Sequence, residues 1–214
     1  MNRLIFRPFV ALSSLWGRLS SGRVALLWQT LKNECYAAYL QHAFDGAEEL
    51  ITSGSPVHVV GGKHIQVGRS VTLGTGVRLE AVYQWENCGQ TFSPQIVLGN
   101  HVVLAPYSRI GCINKVEIGD WTTTGQRVYI TDHTHGDVSL EQMNLPPRHR
   151  PLHSKGAVKI GSYVHLGEGC CIMPGVTIGD HSVIGAGSVV THDIPPYSVA
   201  AGNPARVLKS VDAV

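Results

Sequence analysis

The 214-residue chain carries little charge: 17 Lys and Arg stand against 15 Asp and Glu, and charged residues make up only 15% of the sequence. A formal net charge of +2 creates no broad electrostatic field, so nothing in the composition indicates a nucleic-acid-binding protein. Hydrophobic residues reach 43%, which is enough for a substantial core and excludes a disordered chain. Any ligand must therefore be recognised by local features of the sequence.

Cysteine is scarce and irregularly placed. The five cysteines have no Cys-x-x-Cys spacing, and two of them are adjacent: Cys35, Cys88, Cys112, Cys170 and Cys171. This pattern argues against a simple disulfide framework or a zinc knuckle. We expect reduced thiols in the core and a cytoplasmic location.

Long apolar runs are also lacking. The apolar run from Pro8 to Gly17 is about ten residues long, whereas a membrane-spanning helix needs roughly 20. It is not followed by a convincing small-residue cleavage site. We therefore expect neither a membrane span nor a cleaved signal peptide.

The first 52 residues differ in composition from the rest. They contain no acidic residue before Glu34, and they include Trp16 and Trp28 among several basic residues. We predict a helical arm over residues 1–52 that packs on the main domain or on a neighbouring subunit. The alternative is a peripheral helix on an anionic membrane, which would place the protein at the inner face of that membrane.

Glycine is abundant, with 24 residues, and much of it belongs to a six-residue repeat. Fifteen positions, all but Thr124 aliphatic, follow this repeat, and ten of them precede glycine: Val67, Leu73, Leu79, Leu98, Leu104, Ile110, Ile118, Thr124, Ile130, Ile160, Leu166, Ile172, Ile178, Ile184 and Val190. A helix would scatter these positions around its surface, whereas a strand and turn repeating every six residues point each of them inward. Three such units form one triangular coil of a parallel β-helix, with Ile160 stacked on Ile178 and glycine permitting the corner.

Three interruptions break this register. The first is residues 80–97, the second adds two residues around Asn114, and the third is the long excursion 131–157, which is rich in His, Pro and Arg. Long ordered excursions from a regular scaffold are more often functional than accidental. We accordingly divide the chain into an arm (1–52), a β-helix domain (53–196) with loop 131–157, and a C-terminal tail (197–214).

Four segments carry a family resemblance. They are Ile-Thr-Asp-His-Thr-His-Gly (130–136), Ile-Gly-Ala-Gly-Ser-Val-Val-Thr (184–191), Asp-Ile-Pro-Pro-Tyr-Ser (193–198) and Ala-Gly-Asn-Pro-Ala-Arg-Val (201–207). Together with the repeats, they resemble the left-handed β-helix acetyltransferases, in particular the maltose/galactoside O-acetyltransferases and their polysaccharide O-acetyltransferase relatives. The resemblance covers about residues 57–209. It implies a mainly β, left-handed parallel β-helix, a homotrimer, acetyl-CoA as donor without a metal, and an active site between subunits.

A histidine is the candidate general base, because neutral imidazole can accept the proton of a sugar hydroxyl as that oxygen attacks a thioester. His135 lies five residues beyond Ile130, where the family's catalytic His follows the aliphatic position. His133 is the rival, and on an extended strand both side chains would point the same way. Asp132 or a backbone carbonyl could orient the ring. The predicted catalytic set is thus His135, His133 and Asp132.

The resemblance also implies where the donor lies. The pantetheine arm would run along stacked coils, where small residues allow a close approach to the backbone: Gly167, Gly185, Ala186, Gly187 and Ser188. Thr191 could offer a hydroxyl, and Arg206 and Lys209 could meet the phosphates of the nucleotide. The alternative is that the glycines are coil corners and the cations are simply solvated.

The sequence gives less indication of which residues bind the acceptor. Tyr83 and Trp85 could stack on a sugar face, and Asn114 and Arg150 could hydrogen-bond to hydroxyl groups. These four side chains could equally fill the base of each insertion or a subunit contact. At His165 the family commonly has Trp, so His165 is a further candidate for the wall of the acceptor or thioester site, and His192 stands where Lys or Arg is usual.

The sequence thus predicts an O-acetyltransferase that moves acetyl from acetyl-CoA to a hydroxyl of a sugar or surface polysaccharide precursor. An alternative is an N-acetyltransferase that acts on an amino-sugar nucleotide or on a streptogramin-type antibiotic. A zinc site like that of the gamma-class carbonic anhydrases would use His133, His135 and His165, but the His-x4-His spacing is absent. A noncatalytic β-helix would leave His135 without a purpose.

Overall fold

The computed structural model describes residues 22–52 and 54–211. Within these residues, three parallel sheets form the faces of a triangular prism, and the chain visits the first, second and third face in turn, coil after coil. The protein is a left-handed parallel β-helix: the six-residue register predicts the parallel β-helix, and the family resemblance implies its hand.

The strands of the first face comprise, in order across the sheet, Leu50–Thr52, Val71–Leu73, Val103–Leu104, Thr123–Thr124, His165–Leu166, Val183–Ile184, Ser198–Gly202 and Ala205–Ser210. The second face consists of His58–Val60, Arg78–Ala81, Arg109–Cys112, Tyr129–Thr131, Cys171–Ile172 and Val189–Val190. The third face consists of Ile65–Val67, Gln95–Leu98, Lys115–Ile118, Val158–Ile160 and Thr177–Ile178. Neighbouring strands are parallel except for the last pair of the first face.

The core is the interior of the prism. All fifteen positions of the repeat are buried, and they stack on one another in neighbouring coils along each face. Ile160 pairs with Ile178, as predicted, and the pairing continues across the first two interruptions, where Leu79 pairs with Ile110 and Ile110 with Ile130. The six-residue period therefore places these side chains in the core, because it returns every such position to the same side of a strand.

The glycine after the aliphatic residue has a different role from the one expected. A Cβ on Gly119 would lie 2.7 Å from the backbone carbon of Gly161, so glycine is needed there because successive coils approach closely. The left-handed backbone of the corner instead falls three residues after the inward position, for example at Trp121 (φ 60°) and Tyr163 (φ 57°). Glycine thus permits coil packing, whereas many corners tolerate large side chains.

Aromatic rings stack along the corner between the third and first faces. His101 lies 3.9 Å from Trp121 between ring centroids, and His181 lies between Tyr163 and Tyr197 at 4.8 and 4.7 Å. These stacks stabilise a corner whose positive φ angles are costly for residues with a Cβ.

The N-terminal helix spans Gly22–Gln41 and seals the first coil. Ala37 and Leu40 in its C-terminal half are buried, and Thr52 Oγ1 donates a hydrogen bond to the carbonyl of Asn33 (2.8 Å). By contrast, its first half exposes large apolar side chains: Leu26, Leu27, Trp28 and Leu31. No helix within the described residues combines the length and apolarity that a membrane span requires. Residues 1–21 of the predicted arm lie outside the described part of the chain.

The ends of the β-helix differ from the predicted boundaries. The first face begins at Leu50, inside the segment assigned to the arm. At the other end, Ser198–Gly202 pairs in parallel with Val183–Ile184, so the predicted tail continues the first face. Strand Ala205–Ser210 then folds back antiparallel on it. Both differences arise because strand pairing continues where the six-residue repeat has faded.

The cysteines are free thiols, as expected, but only two of them belong to the core. Cys112 and Cys170 are buried, Cys35 is exposed, and Cys88 and Cys171 are partly exposed. The expectation of core thiols therefore holds for two positions and is corrected for the other three.

All three interruptions of the register leave the prism at one corner, between the second and third faces, which we call the insertion corner. The first forms a hairpin of Gln84–Trp85 with Gln90–Thr91, and the third begins as an antiparallel ribbon of His133–His135 with Leu152–Ser154. A short helix at Leu140–Met143 and single 3-10 turns complete these elements: Gly62–His64, Glu86–Cys88 and Pro147–His149. The interruptions thus build one compact structure on the prism.

Candidate active site

The hairpin and the ribbon pack against each other above the insertion corner. The side-chain amide of Gln90 donates to the carbonyl of Leu152 (3.1 Å) and accepts from its N–H (2.7 Å). The indole of Trp85 meets the ring of His135 edge-on, with centroids 5.3 Å apart. Residues far apart in sequence therefore form one wall around the two histidines.

Asp132 is the buried charge of this site. Its carboxylate accepts the backbone N–H of Ile113 and Asn114, at 3.0 and 2.7 Å, from the preceding coil. Burial alone would raise the pKa of Asp132, but the hydrogen bonds from His133, these two N–H groups and Cys112 outweigh burial and lower it. The carboxylate is therefore held ionised.

His133 is oriented by that carboxylate. Its Nδ1 lies 2.9 Å from Asp132 Oδ1, and the side chain is 11% exposed. An ionised carboxylate can only accept, so Nδ1 carries the hydrogen and Nε2 of a neutral ring is left as the proton acceptor. The ring lies over the second face beside Gly111, where a Cβ would be 3.4 Å from His133 Cε1.

The thiol of Cys112 completes the surroundings of Asp132. Cys112 Sγ lies 3.2 Å from Asp132 Oδ2. Burial and the neighbouring Asp132 raise the pKa of Cys112, so this thiol stays protonated and can donate. Cys112 is a positioning residue in this arrangement.

His135 lies on the same side of the ribbon, as expected for an extended strand, with its ring centroid 6.4 Å from that of His133. It is exposed and carries no hydrogen bond to Asp132 in the described structure. Desolvation, with smaller contributions from His133 and Arg109, lowers the pKa of His135. At neutral pH this ring is therefore neutral.

The predicted acceptor residues are divided among different places. Asn114 lies beside Asp132, and its side chain is exposed. Tyr83 stacks near His64 at 6.2 Å, and Arg150 donates to the carbonyls of Leu145 and Met143, which folds the excursion on itself. His165 lies on the first face, with Nδ1 3.1 Å from Thr123 Oγ1. The structure thus groups Trp85 and Asn114 with the histidines, places His165 on another face, and turns the guanidinium of Arg150 toward the backbone of its own excursion.

The predicted donor residues lie mainly at the corner between the first and second faces, which we call the glycine corner and define by residues 167–169 and 185–187. Gly169 (φ 69°) and Gly187 (φ 68°) occupy equivalent places in successive coils, with no atom within 4 Å of where a Cβ would be. This bare backbone is the kind of surface that a narrow pantetheine arm can approach closely. Ser188 is instead internal, because its buried hydroxyl bonds to Gly185 O and Gly202 N.

A bulge in the last hairpin brings Arg206 and Lys209 together. Arg206 pairs with Ala201 and Lys209 with Val199, with a shift of register between them. Since residues 199 and 201 point to the same side of their strand, both cations also share that side. A Cβ on Gly185 would lie 2.8 Å from the Cβ of Ala201, the residue that pairs with Arg206. The two cations therefore adjoin the glycine corner.

The histidines and the glycine corner lie at opposite edges of the second face. Thr191 follows the last strand of that face and so lies on the histidine side, where it contacts His192 (2.9 Å). Within residues 22–52 and 54–211, no three His, Cys, Asp or Glu side chains converge as ligands of a metal ion. In one protomer, the predicted catalytic and donor residues are therefore separated by the width of the second face.

Sequence reasoning missed four residues around the histidines. They are Cys112 and the ion-paired side chains of Arg78, Glu80 and Arg109. The signal was available in the register, because Cys112 and Asp132 stand at the same offset from the stacked residues Ile110 and Ile130. Equal offsets in stacked coils place side chains at the same corner.

Comparison with known proteins identifies relatives along the β-helix. Residues 157–192 match the family described as bacterial transferase hexapeptide (six repeats). The chain is 36% identical over 158 residues to WbbJ of Escherichia coli K12, which is named for O-acetyl transfer in lipopolysaccharide biosynthesis. That match covers 72% of this chain and 76% of WbbJ.

A second relative matches a shorter stretch, and a solved structure matches the fold. The galactoside O-acetyltransferase of Escherichia coli K12 is 43% identical over 105 residues, which is 46% of this chain and 49% of that protein. AntD, an N-acyltransferase from Bacillus cereus solved with dTDP-4-amino-4,6-dideoxyglucose and coenzyme A, superposes with a TM-score of 0.66. It covers 82% of this chain and 89% of AntD at 18% identity, so the likeness concerns the fold.

Proposed function

Because this chain belongs to the bacterial hexapeptide-repeat transferases and is an acetyltransferase of sugar-related substrates, we propose that it transfers acetyl from acetyl-CoA to a hydroxyl of a saccharide. The observation that carries this proposal is the Asp132–His133 pair at the insertion corner. A histidine held by a buried carboxylate, with its other nitrogen available, is suited to accept a hydroxyl proton.

In the proposed mechanism, the imidazole ring of His133 carries out both proton transfers. Acetyl-CoA, when bound, supplies the thioester carbonyl that the acceptor hydroxyl attacks. His133 Nε2 takes the hydroxyl proton as the oxygen–carbon bond forms, and Asp132 stabilises the resulting imidazolium. The imidazolium returns that proton to the sulfur when the carbon–sulfur bond breaks, so the ring ends neutral and the charge balances.

The contacts support His133 as the base ahead of His135, the reverse of the order that the family spacing suggested. Both rings lie on one side of the ribbon, but only His133 contacts Asp132 in the described structure. We assign His135, with Trp85 beside it, to the wall that receives the acceptor.

A panel of acceptors tests the reaction itself. Acetyl transfer from acetyl-CoA is measured against sugars, sugar nucleotides, amino sugars and amine antibiotics. Products acetylated on oxygen support the proposal. Transfer to amines alone would instead favour the N-acetyltransferase alternative, which the likeness to the fold of AntD keeps open. Acetyl-CoA that neither binds nor reacts would contradict both.

We expect Arg206→Ala and Lys209→Ala each to raise the KM for acetyl-CoA by about five- to tenfold, because each removes a charge-assisted contact with a phosphate. The value of kcat at saturation should change little. Steady-state kinetics give both quantities, and thermal melting should show less protection by acetyl-CoA in each variant. Lys159→Ala, an exposed lysine of the third face, is the matched control. An unchanged KM in both variants would place the phosphates elsewhere.

A homotrimer would bring the two halves of the site together. The glycine corner and the histidines lie at opposite edges of the second face, so one protomer cannot hold the arm beside its own His133 without crossing that face. In the proposed assembly, the glycine corner of one subunit faces the insertion corner of the next. The free thiols support a cytoplasmic location for this assembly.

The N-terminal helix is proposed to pack on a neighbouring subunit through its exposed apolar half, which includes Leu27, Trp28 and Leu31. We expect deletion of residues 1–30 to weaken the trimer, which sedimentation velocity measures directly. Binding of the full chain to anionic lipid vesicles at low salt, lost on the same deletion with the trimer intact, would instead support peripheral membrane contact.

A further inference from the structure

Two arginines share one carboxylate on the outer surface of the second face. Arg78 donates to Glu80 Oε1 through Nε (3.0 Å) and Nη2 (2.6 Å). Arg109, on the next coil, approaches Glu80 Oε2 through Nε (2.7 Å) and Nη2 (2.6 Å). The three side chains form a fixed group, which we call the arginine fork.

The arginine fork carries a surplus positive charge and keeps donors for a ligand. Two guanidinium groups face one carboxylate: Arg78 donates to it through Nε and Nη2, and Arg109 donates through Nε with its Nη2 in ion-pair contact. Their side chains are 53% and 48% exposed, whereas that of Glu80 is 10% exposed. The buried partner therefore orients both guanidinium planes and leaves their outer edges in contact with solvent.

The fork adjoins the histidine site. Arg109 and Gly111 are two residues apart on one strand and so point to the same outer side, and the ring of His133 lies beside Gly111. The guanidinium of Arg109 also lies over the ring of Tyr129, 5.6 Å from its centroid, which limits its movement. The arginine fork lies on the two coils that precede His133 in the sequence, whereas the predicted donor residues lie on coils that follow it.

We propose that the arginine fork is the acceptor's anion-binding subsite, so that the acetylated saccharide carries an oxyanion group, either a phosphate ester or a carboxylate. Guanidinium groups held in a plane match the oxygens of such groups with paired hydrogen bonds. The inference rests on the proposed function, because it names the class of acceptor for the same site. It requires an acceptor long enough to reach from the fork to His133.

The test compares matched acceptors and an Arg109 variant. Glucose, glucose 1-phosphate, glucuronic acid and UDP-glucose are assayed with acetyl-CoA, and inorganic pyrophosphate serves as a binding probe by calorimetry and as a competitor. We expect the anionic acceptors to exceed glucose in kcat/KM by about tenfold or more. Arg109→Gln should lower kcat/KM for them by about ten- to a hundredfold, mainly through KM, and should weaken pyrophosphate binding. Comparison of the phosphorylated acceptors with glucuronic acid shows whether the arginine fork prefers a phosphate or a carboxylate.

Control variants separate the fork from folding effects. Arg69→Gln removes another exposed, carboxylate-paired arginine, which lies at the corner between the third and first faces, and should change nothing. Arg109→Lys keeps the charge without the planar fork and should recover part of the affinity. Pyrophosphate binding that is equal in the wild type and Arg109→Gln, with both proteins melting alike, would overturn the inference. Arg109-dependent binding without acetyl transfer to any acceptor would instead overturn the proposed function and leave the anion subsite standing.

Discussion

Replacing His133 by alanine should lower kcat by about two to four orders of magnitude, the usual contribution of a positioned general base. The KM for acetyl-CoA should change little, because the imidazole meets the acceptor hydroxyl and not the nucleotide. The loss is expected at this ring because Asp132 fixes its Nδ1 at 2.9 Å and leaves Nε2 to take the proton. Initial rates at saturating acetyl-CoA measure the effect.

Two other histidines of the ribbon provide the comparison. His135→Ala should cost less, since it removes a wall residue beside Trp85. His153→Ala should cost almost nothing, because His153 pairs with Thr134 and so lies on the opposite side of the ribbon from His133. If His135→Ala abolishes transfer while His133→Ala retains it, the base is His135, as the family spacing suggested. If both His133→Ala and His135→Ala remain active, neither histidine is the general base.

The interior of the β-helix could be predicted because one physical rule governs it. A residue every six positions returns to the inner side of a strand, and all fifteen such residues, from Val67 to Val190, are buried. The role of the following glycine was not predictable in the same way. That role depends on the distance between successive coils, which the sequence period does not state. The left-handed backbone that turns the corner lies two residues after the glycine, for example at Trp121.

The site was predictable only in part. Its residues lie in the segments where the period fails, so the docking of the hairpin on the ribbon through Gln90 and Leu152 had no signal in the repeat. The choice between His133 and His135 is harder still. Both side chains point the same way from one strand, and only the position of the Asp132 carboxylate distinguishes them.

Asp132 also couples the site to the stability of the fold. Its lowered pKa means that the carboxylate stabilises the native state at pH values above the ordinary Asp range, which lies near pH 4, and that this contribution is lost as the pH falls through the lowered value. The contribution comes from hydrogen bonds with the preceding coil at Ile113 and Asn114. In the proposed mechanism, the same group therefore positions the base as well as joining two coils.

Asp132→Asn is expected to lower kcat by about a hundredfold or more, because an amide cannot satisfy all the groups that meet this carboxylate. If its oxygen accepts from His133, its NH2 faces the N–H of Asn114 and the thiol of Cys112, which are both donors. If it is turned around, the NH2 donates to Nδ1 of His133 and forces the hydrogen onto Nε2, so the ring can no longer accept the hydroxyl proton.

The variant should also be less stable than the wild type at neutral pH, and the difference should shrink as the solution is made acid. The carboxylate's contribution fades on protonation, whereas the amide does not titrate. Denaturant unfolding at several pH values measures the stability, and initial rates measure kcat, so the two roles are read separately. Cys112→Ser, which keeps a donor to Asp132, is the conservative comparison and should retain most of the activity. An Asp132→Asn enzyme with nearly wild-type kcat would show that the carboxylate only joins the coils, and the base would then have to be sought at His135.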